Sequence, residues 1–406
     1  MTQQVKRAFQ YRIHPTDEQA AELSRTFGRV RLVSNKALEE RTRAWYSEQR
    51  RVSYAQSSAA LTEWKKTEEP AFLTEVSSVP LQQALRHLQT AFGNFFAERA
   101  KYPRFKSRKK SRASAEYTRS AFTWRDGQLT PAKTAQPLDI RWSRPLPEGA
   151  EPTTATVSRD AAGRWFVSLL CEDTIAQAPA TTAAVGIDAG ITSLVTLSTG
   201  EKIANPQHER RDRTRPARAQ REPSRKAKGS ANREKARRRV ARVHARIADR
   251  RRDVLHQLST RLVRENQTVV IEDLAVRNLL RNGKLARAVS DASRTEPRSM
   301  LEYKCAWYGR QFVVIDRWFP SSELCGACGT VAAKMPLNVR EWTCGCVNAA
   351  RNILAAGPAA STCGDGGGPQ RESSRTGRSS VKRETQRTTA GIHRPWAGEE
   401  ATSVPS

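Results

Sequence analysis

Apolar and polar positions alternate from Gln3 to Ile13 (QQVKRAFQYRI), which predicts an opening strand. His14-Pro15-Thr16-Asp17-Glu18-Gln19 then carries the polar cap and early acids of a helix start. From there to about Asn94 the pattern is helical. Leu23, Phe27, Val30, Leu32 and Ala37 recur near three- and four-residue steps. Leu81, Leu85, Leu88, Phe92 and Phe95-Phe96 do so more clearly and read as helix core. Residues 115–172 are β-rich. The clearest strand is Gly163-Arg-Trp-Phe-Val-Ser-Leu-Leu-Cys171, after the turn Asp160-Ala-Ala-Gly163. An Ala-, Thr- and Pro-rich linker from Ala176 to Ala183 separates this from a new domain. Its first stretch, AVGIDAGITSLVTLSTGEKI from Ala184, reads as strand, Gly turn, strand, Ser-Thr-Gly turn, strand. A long helix follows, with Val240, Val243, Ile247, Val254, Leu258 and Leu262 on one face. Val269–Leu274 and Phe312–Trp318 are short strands of the buried type, and a small helix runs from about Asn348 to Ala356. Beyond it, Gly, Ser, Thr, Pro and Arg predominate, which predicts a disordered tail over 358–406.

Charge changes this picture. The 406 residues hold 70 Lys or Arg against 41 Asp or Glu, a net charge of +29. That balance calls for a polyanionic partner, nucleic acid before an anionic membrane. The N-terminus has no apolar signal region, no run of about 18 apolar residues occurs, and no basic helix carries bulky aromatics on its apolar face. A cytoplasmic, nucleoid-associated protein is expected, with no membrane partner. Two segments concentrate the charge. Lys101–Arg112 has seven basic residues and no acid, and Pro103 stops a helix from running through it. Lys101, Arg104, Lys106, Arg108, Lys109 and Lys110, interleaved with Tyr102 and Phe105, suit a phosphate backbone with stacking surfaces; the plainer reading is a solvated loop. Residues 209–252 hold nineteen Lys/Arg against five acids. Such an excess repels itself unless an anion lies along it, which makes Arg225, Lys226, Lys228, Arg233, Lys235, Arg237, Arg238 and Arg239 candidate phosphate contacts.

Two acids end apolar strands in this basic domain, Asp188 and Glu272. On adjacent parallel strands they would share a sheet edge and bind Mg²⁺ through oxygen, the arrangement that serves phosphodiester cleavage. The alternative is strand-end acids paired with the abundant Arg. Four of the seven cysteines cluster as Cys325-Gly-Ala-Cys328 and Cys344-Gly-Cys346. The set resembles a zinc ribbon, whose thiolates close a tetrahedral structural Zn²⁺ site. The second knuckle is one residue short, so Cys363 or Cys305 is a possible substitute.

Together the motifs V-G-I-D-A-G-I, V-V-I-E-D-L, D-R-W-F-P-S-S-E-L-C-G-A-C-G, E-W-T-C and N-A-A-R-N-I-L resemble the TnpB family, RNA-guided nucleases encoded by bacterial insertion sequences and related to type V CRISPR effectors. The resemblance runs from about residue 3 to Gly357. It implies an α/β multidomain fold with a β-barrel wedge domain (1–17 and 113–180) and an inserted helical recognition domain (18–112). It further implies a RuvC-like nuclease domain of RNase H type (181–322 and 347–357) with a zinc-ribbon-like insert (323–346). A guide RNA from the transposon end and target DNA are the implied partners. Asp188 and Glu272 match the first two catalytic acids. The family then reads D-R-D-x-N-A-A-x-N-I, whereas this chain reads Cys344-Gly-Cys346-Val347-Asn348-Ala349-Ala350. The third Asp is missing, and Cys346 occupies its position in one register and that of the last zinc ligand in the other. The leading expectation is therefore guide and target binding with cleavage lost or reduced. The alternatives are an active Mg²⁺-dependent nuclease with a substitute acid, a poorly folding decayed copy, and an RNA-independent zinc-ribbon DNA-binding regulator.

Overall fold

The computed structural model describes residues 2–66, 71–109, 111–190, 193–208, 214–274, 281, 295–319, 321, 324 and 349–362. Residues up to Thr362 form one compact unit. Strand β1 (Thr2–Ile13) leads into helix α1 (Asp17–Glu48). Thr16 and Gln19 form a reciprocal capping box at its start, and Asp17 and Glu18 face the positive end of the helix dipole. Helices α2 (Tyr54–Lys66) and α3 (Ser78–Phe96) complete a helical layer. Leu38, Leu61, Leu81, Leu85 and Phe92 make its core. Leu23 and Phe27 of α1 turn the other way, onto the first sheet.

That sheet is antiparallel, in the order β2 (Ala113–Thr118), β6 (Pro152–Arg159), β7 (Trp165–Ala176), β1, β5 (Ile140–Arg141). β1 and β7 pair along their whole length, from Thr2 opposite Ala176 to Ile13 opposite Trp165. Strands β3 (Phe122–Arg125) and β4 (Gln128–Pro131) form a separate hairpin. Its two-residue turn, Asp126-Gly127, takes positive φ at both positions, as a tight hairpin of matching twist requires. Among the described residues the hydrogen bonding leaves the five-stranded sheet open, and does not close it into the barrel that the family resemblance implies.

The second sheet has the order β10 (Lys202–Ala204), β9 (Ser193–Leu197), β8 (Ala184–Asp188), β11 (Thr268–Glu272), β12 (Gln311–Ile315). β8, β11 and β12 are parallel, and β9 and β10 return as an antiparallel meander. Parallel strands need crossovers, and helices supply them. Helices α4 (Thr214–Ser224), α5 (Ala231–Glu265) and α6 (Thr295–Tyr308) lie between β10 and β12 in the chain. Leu255, Leu262, Met300 and Leu301 of α5 and α6 cover one face of the sheet, against Val185, Ile187, Val269 and Ile271. Helix α7 (Ala349–Thr362) covers the other, with Ile353 against Val270, Val313 and Ile315. It runs past Gly357 to Thr362, so the disorder predicted from 358 does not hold over 358–362, and the rest of that predicted tail lies outside the described residues. The reason is packing: a Cβ at Gly357 would stand 2.7 Å from a Val270 methyl, so this glycine holds the helix close to the sheet.

Candidate functional site

Asp188 ends β8 and Glu272 ends β11. Ile187 registers with Ile271, so the two acids follow on neighbouring parallel strands, about 4.8 Å apart at the backbone. Strand alternation puts both in the parity of Gly186 and Val270, the residues that pack on α7. Each is half-buried. The sequence pairing of these carboxylates at one sheet edge is thus what the topology delivers, and carboxylate oxygens are the donor type a hard divalent cation takes.

Two more acids reach the same edge. Asp273 follows Glu272, and Asp316 follows Ile315, the register partner of Glu272. Sequence reasoning did not single them out. Alternation gives them the opposite parity, toward the α5–α6 face. Asp273 is held by Arg298 and Arg317 together. Burial raises its carboxyl pKa, but the hydrogen bonds and charge of Arg317 and Arg298 outweigh burial and hold it below the usual value. Asp316 accepts the Trp318 N–H at 2.7 Å. Among the described residues no group of three His, Cys, Asp or Glu is gathered for a metal ion.

Cys325, Cys328, Cys344 and Cys346 lie outside the described residues, as do Cys363 and Lys110. Cys305 does not suit the role of substitute zinc ligand. It is fully buried on α6 among Leu301, Val269 and Leu262, and burial pushes its thiol up to about 11.

The basic candidates fall on two surfaces. Lys101, Arg104, Arg108 and Lys109 are exposed in the segment after α3, beside exposed Phe105 and Tyr102. Lys106 differs. Its backbone is clamped by Asn35, which donates to the Lys106 carbonyl at 2.9 Å and accepts its N–H at 2.8 Å. Its ammonium is half-buried, and burial lowers its pKa. Arg225 and Lys228 are exposed between α4 and α5, and Lys235, Arg237, Arg238 and Arg239 are exposed on α5. Lys226 and Arg233 are half-buried and joined, with the Arg233 guanidinium donating to the Lys226 carbonyl at 3.1 Å. Arg237 and Arg239 also pair with Glu234 and Glu222, both at 3.3 Å. Of the predicted apolar stripe on α5, Ile247 and Leu262 are buried and Val240, Val243, Val254 and Leu258 half-buried, while Leu255, off that stripe, is buried as well.

A solved structure shares the fold. A chain from a Cas12f1–sgRNA–target DNA complex matches this fold with a TM-score of 0.52 over 86% of this chain and 99% of that one, at 11% identity. Three family descriptions match in order: "Helix-turn-helix domain" over residues 1–50, "Probable transposase" of the OrfB IS605 type over 167–283, and "Cas12f1-like, TNB domain" over 296–356. Over the first of these the structure has β1 and the single long helix α1. A Streptomyces pristinaespiralis protein named "Putative RNA-guided DNA endonuclease" is 84% identical over 97% of this chain and all of its own length. An Escherichia coli K12 protein of the same name, InsQ, is 32% identical over 88% of this chain and 94% of its own. The chain belongs to the TnpB family, the OrfB-type proteins of insertion sequences.

Proposed function

We propose that this chain is an RNA-guided DNA-binding protein of the TnpB family whose DNA cleavage is lost or strongly reduced. The sheet with Asp188 and Glu272 is read as a RuvC-like nuclease core, the first sheet as the wedge domain and α1–α3 as the recognition helices. Its partners are a guide RNA from the transposon end and a matching DNA. The relatives' names and the two basic surfaces support this reading. A divalent cation at such an edge activates water and neutralises phosphate charge. Asp188 and Glu272 offer two carboxylates for it.

The single observation behind the loss of cleavage is the sequence Cys344-Gly-Cys346-Val347-Asn348, where the family carries its third Asp. Asp273 and Asp316 make poor replacements. Their strand parity is opposite to that of Asp188, and Asp273 already serves two guanidiniums. Losing one carboxylate ligand of Mg²⁺ costs orders of magnitude in rate, because the ion tolerates incomplete coordination badly. The cysteine cluster is read as a structural Zn²⁺ site, narrowed by the same deletion.

The test is a plasmid assay with protein co-purified with RNA from its own transposon end. A target matching that guide is offered with Mg²⁺ or EDTA, and capture is scored beside cutting. Capture without cutting is expected. Vigorous Mg²⁺-dependent cutting that Glu272→Ala abolishes would overturn the loss of cleavage. Tight duplex binding that survives removal of all RNA would favour the regulator reading.

A further inference from the structure

Trp318 is the most exposed large apolar side chain among the described residues, at 85% exposure. The backbone that carries this ring is fastened on both sides. β12 ends at Ile315, in register with Glu272. The next residues are fastened in sequence. Asp316 accepts the Trp318 N–H through its carboxylate at 2.7 Å and the Phe319 N–H through its carbonyl at 3.1 Å. Arg317 is bound to Asp273, whose own N–H donates the next rung to the Ile315 carbonyl of β12 at 3.1 Å. Phe319 packs into the cluster of Val270, Val313, Ile315 and Ile353. Ser321 donates to the Phe319 carbonyl at 2.7 Å, and its own carbonyl accepts from Asn352 of α7 at 2.9 Å. The turn is thus tied to β11, to the core and to α7, while the indole stays outside.

Its surroundings say what the ring meets. Arg298 and Arg317 share the one carboxylate of Asp273, and the Asp316 carboxylate stands at the Trp318 N–H, so two guanidiniums and two carboxylates border this turn. The other large apolar side chains exposed among the described residues all precede residue 143, on the first sheet and the helical layer. A protein partner would want a contiguous apolar patch, not one isolated ring. An unpaired nucleobase on a phosphate backbone wants both a ring face and nearby cations. Three residues of extended chain reach about 10 Å, so the Trp318 backbone lies within about 10 Å of Ile315, the strand neighbour of Glu272.

We infer that Trp318 is a stacking platform for an unpaired base of the nucleic-acid strand lying along the Asp188–Glu272 edge. It acts as a positioning residue. The inference rests on the nucleic-acid reading above but not on cleavage, so it holds for a chain that only binds. A paired base has both faces occupied by its neighbours, so the platform selects single-stranded over duplex nucleic acid.

The experiment compares wild type, Trp318→Ala and Trp318→Phe in the full-length protein bound to its guide RNA. The probes are a short single-stranded DNA and the duplex of the same sequence, at salt high enough to weaken phosphate contacts. Affinities are measured beside melting midpoints. Removing one stacking ring weakens single-strand binding roughly 5- to 100-fold. Duplex binding and melting stay unchanged, and the Phe variant recovers most of the loss. Equal loss on both probes, or a lowered melting midpoint, would make Trp318 structural and overturn the inference. So would unchanged affinity in the Ala variant. Wild type that holds no guide RNA would instead overturn the nucleic-acid reading, a different failure visible before any variant is made.

Discussion

Lys304 of α6 turns its ammonium into the interface with α5. It donates to the His256 carbonyl at 2.8 Å, Ser259 Oγ at 2.6 Å and Thr260 Oγ1 at 2.7 Å. All three acceptors are neutral, so the charge is hydrogen-bonded but not balanced. Burial, with Arg264 and Arg7 adding to it, lowers the Lys304 pKa to about 8. An unfolded lysine keeps its proton to about 10.4. Between those values the unfolded state binds more protons, so stability rises with pH across that window, and the cost of the buried charge is fully present below it. His256, lowered by burial and by the Lys304 charge, is neutral throughout. Lys304→Met removes the titration. The denaturation midpoint of wild type should gain on that variant between pH 8 and 10, by at most about 3 kcal/mol. A constant gap across that range would mean the ammonium is hydrated. Nothing in the sequence marks this residue, because a lysine in an ordinary helical run gives no sign of facing inward. Asp188 and Glu272 were legible for the opposite reason: each breaks an apolar run at its end, where burial alone cannot explain an acid.

Gly186 decides how close α7 sits to the second sheet. A Cβ there would stand 2.1 Å from the Ala350 carbonyl and 2.8 Å from the backbone N of Leu354. Backbone cannot step aside as a side chain can, so Gly186→Ala must push the helix off β8. Overpacking of this kind costs about 1–3 kcal/mol. Gly357→Ala meets the Val270 side chain, nearest at a methyl, and should cost less. Chemical denaturation with hydrogen exchange on α7 checks both. Equal and small losses would mean the helix shifts freely. Element type was readable where period and caps agreed, as in β1, α1 and β8–β10. Breaks inside the helical layer were not. α1 ends at Gln49, which adopts the left-handed conformation with φ of 49° although it is not glycine. The restart was visible in principle. Ser53 and Gln56 exchange hydrogen bonds as a capping box, a Ser-x-x-Gln signal that the helical pattern around it concealed.

Across the molecule, charge and architecture are coupled through α5. The later part of its apolar stripe, Val254, Leu258 and Leu262, packs on the second sheet, and Asp249 on its flank binds Arg164 from the β6–β7 turn at 2.5 Å, which ties the helix to the first sheet as well. The basic residues nearer its start are left for solvent or for an anion, with Glu222 and Glu234 as the acids paired there. Sequence composition could place the charge on this helix but not its orientation, which depends on where the two sheets stand. Phosphate binding and mere solvation then differ in salt dependence. Each phosphate contact to duplex DNA steepens the fall of log K with log salt by about 0.9. Replacing Arg237, Arg238 and Arg239 together by Ala should lower that slope by about 1–3 while leaving the melting midpoint within about 0.5 kcal/mol of wild type, since exposed ion pairs contribute little. Trp318→Ala should do the reverse, losing affinity for single strands without changing the slope, because stacking releases no counterions. An unaltered slope in the triple variant would make the α5 stripe a solvated face and move the nucleic-acid path to the Lys101–Arg112 side.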